Sequence, residues 1–236
     1  MIRRFRVLFL LAPGIILAGC AAARWVAGTS LSRLRAEQEG RFSYRLPLDR
    51  DSAFSLLTEV AGSLEVYEYL SDRDEGYLVT MGYDRMFPAC IDTTEVGFFL
   101  SAASGRETDL KIVSLNHALA RFVSDNFPYY ALQGRERDFP SFALAAGSVE
   151  AAEIIRQVVE SRGNELRGKG NGYLVASGLR LERGEAKVDS PLVFFLQEID
   201  SGSRTKVTVG SFDVSISQPV SSFMEKACNR ALQAAR

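Results

Sequence analysis

The chain has 236 residues, with 28 Lys and Arg against 29 Asp and Glu, a single histidine and a formal net charge of −1. This balance carries no basic footprint for nucleic acid, and one histidine excludes the His-Glu-X-X-His site of zinc peptidases. Three cysteines are present, at Cys20, Cys90 and Cys228.

The chain opens on Met-Ile-Arg-Arg-Phe-Arg, continues through the apolar run Val7 to Leu11 and reaches Ile15-Ile16-Leu17-Ala18-Gly19-Cys20. A basic start, a short apolar stretch and a small-residue cleavage site make an export signal over 1–19. The stretch falls short of the roughly 20 apolar residues of a transmembrane helix. Leu17-Ala18-Gly19-Cys20 resembles the bacterial lipobox. That resemblance implies that Leu17, Ala18 and Gly19 are read by a lipoprotein signal peptidase and that Cys20 carries diacylglycerol, with no other cofactor expected. At about 0.8 kcal/mol per buried methylene such an anchor is effectively permanent. By the sorting rule known for enteric lipoproteins, Ala21 in place of an Asp favours the outer membrane, with the body facing the periplasm. Loss of Arg3, Arg4 and Arg6 from the 28 basic residues leaves 25 against 29 acidic ones. In an oxidising compartment Cys90 and Cys228 could pair, or stay as two buried thiols.

Residues 20–40 read as the lipidated cysteine and a tether, either solvated or docked through Leu31 and Leu34. Phe42, Tyr44 and Leu46 alternate as in a half-buried strand, closed by Pro47. Ser52 is placed to cap a helix whose Phe54, Leu57, Ala61 and Leu64 share one face. Strands are predicted at Val66–Leu70, Tyr77–Gly82, Val96–Ala102 and Leu110–Phe122. A short helix follows from Ser124 or Asp125, with Pro128 in its first turn.

The polar run Gln133 to Asp138 then separates two units, 41–134 and 138–236. The second repeats the first: a strand near Phe142–Leu144, a helix capped by Ser148 through Ile154, Ile155, Val158 and Val159, and strands at Tyr173–Leu181, Leu192–Ile199 and Lys206–Ile216. The last helix opens at Ser221 or Ser222, with Glu225 at capping-box spacing. Gly76-Tyr77-Leu78-Val79 recurs as Gly172-Tyr173-Leu174-Val175, and Val96-Gly97-Phe98-Phe99-Leu100 as Leu192-Val193-Phe194-Phe195-Leu196, both 96 positions on. The predicted class is therefore α+β, with two tandem helix-grip-like units of strand, helix, antiparallel strands and helix.

The stretch Ser52 to Tyr83, a helix followed by a strand, an acidic turn and a Gly-Tyr-Leu-Val strand, resembles the helix-grip domains of the BamC family of accessory lipoproteins of the outer-membrane β-barrel assembly machine. That family also carries two such domains behind a lipid anchor. Its long N-terminal partner-binding segment has no counterpart here, where about 20 residues separate Cys20 from the first strand.

No residue group declares a chemistry. His117 is placed late in a strand with no second ligand nearby in sequence. Asp72, Asp74 and Glu75 read as a solvated hairpin tip, and Gly168-Lys169-Gly170-Asn171-Gly172 as a flexible hairpin that opens no helix. Phe98, Phe99, Phe194 and Phe195 form adjacent pairs, so one ring of each pair points away from the core side of its sheet. That outer ring is either covered by another element or part of a lipid- or protein-binding face. The sequence thus predicts a non-catalytic envelope lipoprotein, a scaffold or accessory of envelope assembly with an envelope protein as partner. The alternative is a carrier or sensor of an apolar ligand held in a cavity above about 300 Å3 lined by strand aromatics.

Overall fold

The computed structural model describes residues 30–37, 41–83, 95–180, 187–188 and 190–235. The export signal, the Leu17-Ala18-Gly19-Cys20 motif and Cys90 lie outside them. A helix over 30–36 (α1) precedes strand β1 (Arg41–Leu46), helix α2 (Arg50–Ser63) and strands β2 (Tyr67–Asp72), β3 (Tyr77–Met81), β4 (Val96–Ser104) and β5 (Glu107–Val113). Helix α3 (His117–Leu132) leads to the second unit: β6 (Ser141–Leu144), α4 (Ser148–Ser161), β7 (Leu166–Gly170), β8 (Tyr173–Ala176), the short pair β9 (Leu179–Arg180) and β10 (Lys187–Val188), then β11 (Leu192–Ile199), β12 (Arg204–Ser211) and α5 (Val214–Ala235). Each unit holds a five-stranded antiparallel sheet of the same order: β1-β5-β4-β3-β2 in sheet A and β6-β12-β11-β8-β7 in sheet B. The fold is α+β, two helix-grip-like units in tandem.

The repeat runs deeper than its sequence landmarks. Leu46 and Leu144, Ala53 and Ala151, and Leu57 and Ile155 are all buried and stand 98 positions apart. The β2–β3 hairpin closes with four residues beyond the Asp72–Tyr77 pair, whereas β7–β8 closes with Asn171 and Gly172 alone beyond Gly170–Tyr173, which resets the offset to 96. The same hydrogen bonds recur on both sides: Leu100 N–H donates to Gly76 O and Leu196 N–H to Gly172 O, each at 2.7 Å. Thr108 Oγ1 donates to Leu48 O and Thr205 Oγ1 to Ala146 O, at 2.8 and 2.9 Å.

Several boundaries differ from the sequence reading. Asp49, not Ser52, caps α2, and Ser52 is the donor to it through both N–H and Oγ. Helix α3 begins at His117 because the Asn116 side chain accepts Leu119 N–H at 3.1 Å. His117 is therefore a first-turn residue that meets Glu37 at 3.6 Å, not a strand residue. Asp213 plays the equivalent part for α5 by accepting Ser215 N–H at 3.0 Å, which leaves Ser222 and Glu225 inside the helix. Both final helices are thus long. Pro128 lies in the last third of α3, where it cannot donate to the carbonyl of Ser124. The Tyr44 hydroxyl donates to that carbonyl instead, at 2.6 Å. The glycine-rich stretch is part of a hairpin as expected, with Gly168 to Gly170 in strand β7 and Asn171 and Gly172 at its turn. A Cβ on Gly168 would lie 2.4 Å from the Asp125 carbonyl of α3, so only glycine allows the strand to pass so close to the helix.

The layers explain why both faces of each sheet are apolar. On the inner face of sheet A, Leu78, Val96, Phe98, Leu100, Leu110 and Ile112 pack under α2 and α3. Its outer face carries Tyr77, Val79 and Val113, and α1 covers these with Leu34, which is 1% exposed. Residues 30–37 of the tether are docked, as the alternative through Leu31 and Leu34 had it and contrary to the solvated reading. Sheet B has α4 and α5 on one face, around Phe194, Val207, Met224 and Cys228. On its other face Tyr173, Val175, Val193 and Phe195 join the core of the first unit through α3. Helix α3 therefore closes unit one and covers unit two, as α1 covers unit one.

Candidate functional site

The two units differ most where the first helix of each meets the first hairpin. In unit one the Arg50 guanidinium reaches from the start of α2 to the β2–β3 turn and donates to the carbonyls of Arg73 and Asp74. The turn is further tied by Arg35 to Glu75 at 2.8 Å and by Glu75 N–H to Asp72. The acidic tip expected to be solvated is thus held from two helices.

In unit two the position of Arg50 is taken by Ser148, and the hairpin is two residues shorter. A cleft of about 620 Å3 opens there between the start of α4 and the β7–β8 turn. Val149, Ala152, Leu174 and Leu196 give it apolar walls, and Lys169 and Glu198 give it one charge of each sign. The Ser148 hydroxyl donates to Glu198, which fixes the carboxylate against the helix start. This cleft is the candidate site. Nothing in the sequence read alone marks it, because the signal is a missing arginine and two missing turn residues seen only when the units are aligned in space.

A second polar group lies at the seam between the units, in a cleft of about 430 Å3 lined by Tyr44, Arg45, Asp125, Arg167 and Ser190. Burial raises the Asp125 carboxyl above the ordinary carboxylate range, and Arg167 and Arg121 act in the other direction. Burial also raises the Tyr173 phenol, which donates to Asn126 Oδ1 at 2.8 Å under a parallel stack with Tyr129 at 3.6 Å.

The four phenylalanines do not form an exposed interaction face. Phe98 and Phe194 are core residues at 1% and 0% exposure. Phe99 packs with Leu34 of α1, and Phe195 lies under α3 with Tyr129 at 5.7 Å between ring centres. Covering helices, not a ligand, account for the second ring of each pair. Cys228 is a free thiol, fully buried among the apolar residues of α4, α5 and sheet B, and burial pushes it up to about 12. The pairing with Cys90 considered from the sequence involves a residue outside the described set. Among the described residues no group of His, Cys, Asp and Glu could hold a metal ion, and no helix is long and apolar enough to cross a membrane.

Solved structures of distant sequence show only weak likeness to this chain. No protein-family model and no curated protein matches this chain. It is similar to the di-domain ARO/CYC protein BexL from the BE-7585A biosynthetic pathway, at 11% identity over 83% of this chain and 92% of that one, with a TM-score of 0.28. It is similar too to the di-domain ARO/CYC protein StfQ from the steffimycin biosynthetic pathway, at 9% identity over 82% and 93%, with a TM-score of 0.25. A protein from Thermobifida fusca matches 39% of the chain and 83% of its own length, at 11% identity and a TM-score of 0.29. The expectation that the chain is not an enzyme is not upheld, two of these neighbours being named as ARO/CYC proteins of biosynthetic pathways. At these scores they carry no activity over to this chain.

Proposed function

We propose that this chain is a lipid-anchored envelope protein, held by Cys20 at the periplasmic face of a membrane, most simply the outer one. It acts there as an accessory or scaffold of envelope assembly and takes a side chain of its envelope partner into the cleft of the second unit. The observation that carries the reading is the contrast between Arg50 and Ser148. Unit one fills this place with its own arginine, and unit two leaves it open with apolar walls and a held carboxylate. The lipobox resemblance and the short link from Cys20 to α1 support the location. The carrier alternative is not favoured by the space between sheet B and α5. There Phe194, Val207, Met224 and Cys228 are each fully buried in mutual contact.

Ser148→Arg tests the reading, because it writes into unit two the residue that closes unit one. Mild-detergent affinity purification of the lipidated wild type is expected to recover an envelope protein in stoichiometric amount, and the variant to lose it. The variant should keep a urea midpoint close to that of the wild type, the site being at the surface. A partner retained by the variant would remove the cleft from the proposal, and a wild type that recovers no envelope protein would remove the assembly role.

A further inference from the structure

The register of sheet A brings four features to one of its ends. Tyr67, the first residue of β2, pairs with Met81 at the end of β3, and Thr80 beside it pairs with Val96, so Glu95 stands in the same row. Ser114, just beyond β5, donates from its hydroxyl to the Glu95 carbonyl at 2.7 Å, and Leu115 follows. The Ser30 hydroxyl at the first turn of α1 hydrogen-bonds the Glu95 carboxylate, which places the start of α1 at this end as well. Nine residues, 21–29, separate that start from Cys20, a link of at most about 36 Å when fully extended.

This end also carries apolar surface that no described residue covers. Tyr67 is 56% exposed and Leu115 50%. Neither is spent on the core, although α1, α2 and α3 cover much of the rest of sheet A. Tyrosine at such a place presents an apolar ring and a polar tip, the combination that suits the headgroup level of a bilayer. The neighbouring charges are mixed, Glu65, Glu68 and Glu95 with Arg41 at the start of β1, which fits a zwitterionic lipid surface.

We infer that the end of sheet A bearing Tyr67, Leu115 and the start of α1 rests on the lipid surface. The body is then oriented by the fold, and the cleft of unit two points away from the bilayer. Leu115 lies two residues before α3. The cleft is lined by Tyr173, which stacks on Tyr129 twelve residues into that helix, a separation of about 18 Å along its axis. The inference rests on the anchoring of Cys20 proposed above.

The test uses the full lipidated chain in phosphatidylcholine vesicles, with Cys90→Ser to remove the second reactive thiol and Cys228 left in the core. An environment-sensitive fluorophore is placed by Leu115→Cys, by Tyr67→Cys, and by Val149→Cys, a residue 84% exposed at the mouth of the cleft. All three positions are exposed, so each variant is expected to fold, and circular dichroism checks that it does. The expected result is emission shifted to the blue at 115 and 67, with quenching by spin-labelled lipid several-fold stronger there than at 149. Protein that floats with the vesicles while all three probes stay equally aqueous would overturn the orientation and leave the anchor intact. Protein that fails to float would overturn the anchor, and the orientation with it.

Discussion

Tyr44 and Pro128 illustrate how single residues in this chain answer one another across the fold. The proline removes the donor that Ser124 O would otherwise accept, and a buried carbonyl without a partner costs about 1–3 kcal/mol. Tyr44 supplies the missing donor at 2.6 Å. Tyr44→Phe is therefore expected to destabilise the protein by about 1–2 kcal/mol in urea unfolding, and by clearly less in a Pro128→Ala background, where a backbone N–H returns. Asp125 adds a pH dependence. Its carboxyl is raised by burial in the seam cleft, so the folded state holds the proton more tightly than the unfolded chain. Its contribution to folding is then present in full below the unfolded value near 3.9 and is lost as pH rises through the folded value. Asp125→Asn should accordingly raise the melting temperature relative to wild type by more at pH 7 than at pH 3.

At the scale of elements, most strands and helices were legible in order, but β7 and α1 were not, and neither were most limits. Alternation in β1 and the one-sided face of α2 were correctly read, because period 2 and period 3.6 are local properties of a chain. The starts of α3 and α5 were misplaced because Asn116 and Asp213 act as caps by accepting a bond, while the apolar residues that follow them suit a strand equally well. Helix α1 is the element on which the body most depends without advertising it. Gly97 leaves room for it: a Cβ there would lie 3.3 Å from Leu34 Cδ1. Leu34→Ala is expected to cost about 2–4 kcal/mol in urea unfolding, whereas a residue of a solvated tether would change stability by less than about 0.5 kcal/mol.

Across the whole molecule the two units behave as one body, because α3 belongs to the cores of both. Phe127, fully buried, lies 6.5 Å from Phe98 of sheet A and 6.1 Å from Phe212 beyond the end of sheet B. Residues 138–236 expressed alone would expose Tyr173, Val175, Val193 and Phe195, an apolar face of the kind that drives aggregation. We expect that fragment to be insoluble and the intact body to unfold in a single transition followed by fluorescence and by circular dichroism together. Two separate transitions would show that α3 does not couple the sheets.

From the sequence alone came the α+β class, the doubled unit, most of the strands along the chain and the lipobox resemblance, all of which depend on local periodicity, on recurrence at a fixed spacing or on a short motif. Only the tertiary structure decided which helix covers which sheet, and hence that Phe195 is a core residue, that α1 covers the half-buried Phe99 and that residues 30–37 of the tether are docked. It alone showed that Ser148 leaves open a cleft that Arg50 closes. These outcomes depend on contacts between residues remote in the chain, where burial is settled by the partner surface and no local pattern records it.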